Sequence, residues 1–234
     1  MKMIFDVITL FPELIEGYCE LGVVGRAHQK GSIETRCWNP RQYTTDIHHT
    51  VDDRPYGGGP GMVMKYQPLK DAFDEIKETR AARGFRIYLS PRGRLLDQQL
   101  VQTLSEQSHI VLLCGRYEGV DERIIDSEID LELSIGDYVL SGGELAANVV
   151  IDSVARLLPD VLSNHESFEQ DSFSNGLLDC PHYTRPEEIN GMRVPDVLLS
   201  GNHKNIAKWR TERSIADTQE RRPDLWEKLN LHAK

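Results

Sequence analysis

The stretch Ile110–Gly143 reads IVLLCGRYEGVDERIIDSEIDLELSIGDYVLSGG, and its reading decides the fold. Ile110 to Leu113 is a short apolar run with the length and composition of a buried strand. It ends in Cys114-Gly115 and opens into the polar loop Arg116 to Arg123. A second run, Ile129 to Ile135, alternates apolar and acidic residues, as a second strand does. It ends in another glycine loop, Gly136 to Gly143. Two strands that each finish in a glycine-bearing loop build ligand crevices at the carboxyl ends of α/β sheets. Glycine lets backbone N–H and C=O groups approach a ligand closely. Such groups can read an adenine edge or a ribose without a charged side chain. Spacing reaches a ligand crevice and no further.

The 234 residues suffice for one large or two modest domains. A hydrophobic share of 39% and a charged share of 27% suit a soluble globular chain. No apolar run approaches the roughly 20 residues that span a bilayer. The opening MKMIFDVITLF places an aspartate inside its apolar run and lacks a small-residue cleavage site. It reads as a first strand, not as a signal peptide. Cys19, Cys37, Cys114 and Cys180 show no paired spacing, the usage of a reducing cytoplasm. Cys180 and His182 have no second ligand pair near them in sequence, so the ligands of any metal stay unknown. The net charge of −10 argues by itself against a nucleic-acid partner. From Pro181 onward, however, ten Lys and Arg face eight Asp and Glu, so the acid is concentrated in the earlier part.

Taken in order, Met3 to Leu10 alternates as a strand, and Pro12 opens a helix carrying Leu14, Ile15, Tyr18 and Leu21. Gly25 to Lys30 reads as a short helix and Ile33 to Trp38 as a strand. Residues 41 to 65 lack periodicity and contain DDRPYGGGPG, which is neither a P-loop nor a dinucleotide fingerprint. We expect an irregular flap there. Pro68 to Arg83 is an amphipathic helix, and Arg86 to Ser90 a strand stopped by Pro91. Asp97 caps a helix through Leu104. Strands alternating with helices imply a mainly parallel sheet, with the loops after Ser90, Cys114 and Ile135 at one edge. Gly142 to Leu158 is an apolar helix. Pro159 to Asn175 is polar and aperiodic, the mark of a domain boundary. Helices follow over roughly Asn202 to Thr218 and Pro223 to Leu229.

Several segments together resemble the bacterial tRNA (guanosine-37, N1) methyltransferases, the TrmD family of the SPOUT class. They are Leu10-Phe11-Pro12, Asp52 to Gly61, Tyr88-Leu89-Ser90-Pro91, Gly115 to Arg123, Ser134 to Glu144, DCPHYTRP over Asp179 to Pro186, and Leu199 to His203. The resemblance implies an α/β SPOUT-type sheet with a C-terminal trefoil knot, plus a small helical domain. It implies an S-adenosylmethionine domain over 1–162, a flexible linker over 163–175 and a tRNA-binding domain over 176–234. The pocket would be lined by Tyr88, Leu89, Ser90, Pro91, Gly115, Tyr117, Glu118, Ile135, Gly136, Asp137, Tyr138, Val139, Leu140, Gly142 and Gly143. Pro60, Gly61 and Asp179 would lie near the cofactor and the target base. It also implies Mg²⁺, a homodimer and a cytoplasmic site of action.

Methylating guanine N1 sets three demands. The methyl carbon and N1 must be held in line, the N1 proton must leave, and charge developing at O6 needs a donor. By the resemblance Asp171, in Glu169-Gln170-Asp171-Ser172-Phe173, is the general base. A solvated carboxylate is too weak for that proton, so the role requires desolvation by bound RNA. Arg156 is the candidate for stabilising O6. His203, Lys204, Lys208 and Arg210 are candidates for phosphate contacts, and Trp209 is expected to pack near Trp226. Two other readings stay open: a SPOUT ribose 2′-O methyltransferase, which needs no acid placed like Asp171, and a dimeric RNA-binding module without catalysis.

Overall fold

The computed structural model describes residues 2–162 and 171–232. The chain divides into two compact units, Met1–Ser163 and Asn164–Lys234. The boundary expected over 163–175 falls largely outside the described residues.

In the first unit β1 (Met3–Ile8) leads into α1 (Pro12–Cys19) and α2 (Gly22–Gln29), then β2 (Ile33–Trp38). The short strands β3 (Asp52–Asp53) and β4 (Val63–Met64) precede α3 (Tyr66–Arg80) and β5 (Phe85–Leu95). Next come α4 (Gln98–Ser105), β6 (His109–Cys114), α5 (Glu122–Glu128), β7 (Leu131–Ser134) and α6 (Glu144–Ala155). The main sheet runs β2-β1-β6-β5-β7 with every pairing parallel. Its central strand β6 is buried along its whole length, which is why its sequence is an apolar run without alternation.

Alternate residues of β6 feed two cores. Ile110, Leu112 and Cys114 join Ile15, Val24, Leu104, Val150 and Val154 on the face covered by α1, α2, α4 and α6. Val111 and Leu113 join Leu69, Phe73, Ile76 and Ile124 on the face covered by α3 and α5. The second face also carries polar ties. Fully buried Asp6 accepts from Trp38 Nε1 at 2.8 Å and from Arg80 Nε and Nη2 at 2.9 Å each, and its Oδ2 lies 2.8 Å from His109 Nε2. Burial alone would raise its pKa, but these hydrogen bonds outweigh it and hold the carboxyl below its ordinary value.

Four expectations need correction. The polar loop ends in a helix, α5, capped by Asp121, whose side chain accepts from Arg123 N at 3.0 Å. Strand β5 does not stop at Pro91. Leu89 and Arg94 both pair with Leu133, so Ser90–Gly93 form an excursion between two paired segments. Proline is tolerated there because no ladder hydrogen bond is demanded of it. Gly93 closes the excursion, since a Cβ would lie 2.3 Å from Leu133 N. Residues 41–65 are not wholly irregular. They hold a 3-10 turn at Pro40–Tyr43 and the antiparallel pair β3–β4. Last, the apolar helix is shorter than Gly142–Leu158, because Gly142 and Gly143 belong to the loop before it.

In the second unit Glu188–Ile189 and Met192–Arg193 form a small hairpin. The helices Asp196–Leu199, His203–Arg221 and Pro223–His232 follow. The longest is capped by Asn202, which accepts from Asn205 N at 3.2 Å.

Candidate cofactor and substrate site

A cleft of about 260 Å³ opens at the carboxyl ends of β5, β6 and β7. Three loops wall it: the Ser90–Gly93 excursion, the loop after β6, and the loop from Ile135 to Gly143. Glycine is what lets these loops close on one another. A Cβ on Gly143 would lie 2.7 Å from Cys114 Cα, and Gly143 N donates to Gly115 O at 3.0 Å. A Cβ on Gly115 would meet the Tyr88 ring at 2.9 Å, and one on Gly136 the Tyr138 ring at 2.5 Å. Tyr117 holds a positive φ of 59° without being glycine, a conformation that costs on the order of 1 kcal/mol and clusters at functional loops. The buried Tyr88 phenol has its pKa pushed up by burial, so it stays a neutral hydrogen-bonding wall. Leu89, Leu133, Ile135 and Leu140 supply apolar surface. Small and apolar walls with exposed backbone suit a neutral adenosine.

All the pocket residues expected from sequence line this cleft except Asp137. Tyr138 N donates to Gly136 O at 3.0 Å, and Asp137 sits exposed at the apex of that tight turn. Sequence reasoning missed Arg116, Gly119, Leu133, Ser134, Ser141 and Ala146, which also line it. Arg116, Gly119, Ser134 and Ser141 lay inside the quoted motifs without being singled out; Leu133 and Ala146 carry no chemical signature.

The flap joins the same wall. Met62 O accepts from Glu118 N, Met64 N donates to Gly119 O, and Asp121 N donates to Met64 O, each at 2.9 Å. Gly61, at a φ of +79°, lies so close to Glu118 that a Cβ would come within 2.4 Å of its carboxylate. The flap's second strand is therefore knitted to the loop after β6, which brings Gly61 beside Glu118. Arg156 is the C-cap residue of α6, its N donating to Asp152 O at 3.1 Å, and does not line the cleft.

Asp171 belongs to the second unit and stands at the start of a turn, where its carbonyl accepts from Ser174 N at 3.3 Å. Asp179 Oδ2 lies 2.8 Å from His182 Nε2, and its Oδ1 accepts from Cys180 N at 2.6 Å. Burial would raise the Asp179 pKa, yet these partners hold it down. Ligand atoms of Asp179, Cys180 and His182 lie within 4.8 Å of one another. The Cys180 thiol is kept protonated by burial and by Asp179. Thiol and imidazole are poor donors for Mg²⁺, which takes oxygen ligands, so this cluster does not fit that ion. His182, Tyr183, Arg185 and Arg210 line a second cavity of about 760 Å³ with Leu198 and Ile206. His203, Lys204 and Lys208 are exposed on the long helix. Trp209 has Tyr183 as its ring neighbour, with centroids 6.4 Å apart, where Trp226 was expected.

The family model described as tRNA (Guanine-1)-methyltransferase TrmD matches residues 3–228. The chain belongs to this family. TrmD-family relatives named tRNA (guanine-N(1)-)-methyltransferase are similar over nearly the whole length. One from Pseudomonas putida (strain GB-1) is 58% identical over 226 residues, covering 97% of this chain and 90% of the relative. One from Shewanella halifaxensis is 59% identical over 229 residues, covering 98% and 92%. One from Shewanella loihica is 58% identical with the same coverage. The TrmD match spans both units, so the cleft and the helical unit belong to one family architecture.

Proposed function

We propose that this methyltransferase takes its methyl group from S-adenosylmethionine held in the cleft and delivers it to N1 of guanosine 37 of tRNA, beside the anticodon. The glycine-walled cleft at the carboxyl ends of β5, β6 and β7 carries the reading. When bound, the cofactor supplies an electrophilic methyl on a sulfonium. Backbone groups of the loops around Gly115 and Gly136–Gly143 hold the adenosine, and the Glu118 carboxylate faces the donor's positive charge. Gly61 and Pro60 pack on the target base, so that N1 is presented in line. Asp171 removes the N1 proton, which frees a lone pair to attack, and Arg156 stabilises the charge that develops at O6. His203, Lys204, Lys208 and Arg210 hold the tRNA backbone, and Asp179 orients the base.

In this reading the carboxyl half of the sheet is threaded as a trefoil knot. Two copies meet through α1 and α6, and Asp171 of one protomer serves the cleft of its partner. Phe11, Leu14, Leu21, Leu145 and Val149 support this, since they expose large apolar side chains on those elements or beside them. The four cysteines are free, as suits the cytoplasm, and no helix among the described residues is long and apolar enough to cross a membrane.

Asp171→Ala is the direct test. On a tRNA carrying guanosine 37, methylation should fall by about 10²–10⁴-fold, the usual worth of a general base, with cofactor binding retained. A variant at full rate would reject the base assignment.

A further inference from the structure

Arg116 has no part in the chemistry above, yet it ties together the segments that form the cleft. Its Nη2 pairs with Glu144 Oε2 at 2.8 Å and its Nε donates to Glu144 Oε1 at 3.2 Å. Its Nη1 donates to Ser141 O at 3.1 Å, inside the loop that forms one cleft wall. Glu144 is 1% exposed, opens α6 and does not line the cleft. Its Oε1 also accepts from Thr9 Oγ1 at 2.8 Å, at the carboxyl end of β1. The guanidinium lies 4.3 Å from the Phe11 ring centroid. A Cβ on Gly142 would lie 2.2 Å from Arg116 Nε, so the loop is pressed directly onto this side chain.

We infer that Arg116 is a positioning residue. Held by Glu144, it fixes the Ile135–Gly143 loop in the shape that accepts the methyl donor. The planar fork suits the task, because one guanidinium hydrogen-bonds Glu144 Oε1, lies at ion-pair distance from Oε2 and reaches a carbonyl with its third nitrogen. Glu144 acts only through Arg116. This inference rests on the cleft being the cofactor site.

The test is calorimetric titration of the full-length protein with S-adenosylmethionine for wild type, Arg116→Met, Glu144→Gln and the double variant, with melting temperatures measured alongside. Arg116→Met leaves a buried carboxylate without its cation and should melt early. The double variant removes that charge and should recover its melting temperature. Its dissociation constant should nevertheless stay about tenfold or more above wild type. Glu144→Gln should weaken binding by about threefold although it never touches the cleft, and the turnover rate at saturating donor should hardly change. If the double variant regains wild-type affinity together with its melting temperature, Arg116 merely neutralises a buried acid and the inference fails. It fails equally if Glu144→Gln binds as wild type. A wild type that binds no donor would overturn the cleft assignment itself, and this inference with it.

Discussion

At the scale of single residues, Asp6 shows how a buried charge is retained. Its carboxylate sits among Arg80, His109 and Trp38 with no solvent exposure. Because its folded pKa lies below the ordinary value near 3.8, it contributes stability that is fully present above that value. The contribution is lost as pH falls through the lower folded value. Asp6→Asn should cost about 3 kcal/mol near neutrality, as breaking a buried ion pair does. It should also flatten the loss of stability below about pH 4, read from urea midpoints across pH. A wild-type stability that rises on acidification would contradict the assignment. Gly143 makes a second case. Its missing Cβ faces backbone at Cys114, which cannot yield as a side-chain tip would. Gly143→Ala should therefore push the two loops apart and weaken donor binding by at least about tenfold, with a smaller effect on melting. Unchanged affinity would show that the loops tolerate the separation. Gly143 was legible as part of a glycine loop, but its contact with Cys114 and the partners of Asp6 were not, because those neighbours are brought near only by folding.

At the scale of elements, what the sequence revealed depended on how local the cause was. The strand β6 and its glycine exit were readable because a fully buried parallel strand writes an unbroken apolar run. The α5 helix was not, since seven residues rich in acid have no clear periodicity. The β5 excursion was illegible. Pro91 reads as a strand end, and only the register against β7 shows that pairing resumes at Arg94. The two-residue strands β3 and β4 are too short for any period to appear, so the flap read as irregular. Helix α6 divides its surface. Ala147, Val150, Ile151 and Val154 enter the core, while Leu145 (59% exposed) and Val149 (43%) point away from it. With Phe11 (44% exposed) beside α1 they make the apolar face proposed for the second copy. Leu145→Glu should convert the proposed dimer to monomer in light scattering and abolish methyl transfer, since the proposed base comes from the other protomer. A fully active monomer would contradict the shared site.

At the scale of the whole molecule, the first unit carries the cleft and the second exposes His203, Lys204, Lys208 and Arg210 on its long helix. From Pro181 onward ten Lys and Arg face eight Asp and Glu, a local basic excess within a chain of net charge −10. The cleft was largely legible because its walls are built from motifs contiguous in sequence. Asp171 and Arg156 were singled out by the family resemblance alone, since neither stands in a local pattern of its own and the two fall in different units. Everything above turns on methylation of a ring nitrogen of one tRNA guanosine. The most direct measurement incubates the protein with methyl-labelled S-adenosylmethionine and a tRNA carrying guanosine 37, then digests the RNA and separates the nucleosides. Label is expected in 1-methylguanosine alone, and should vanish when position 37 is adenosine; label in a 2′-O-methyl nucleoside, or none, would overturn the N1 assignment.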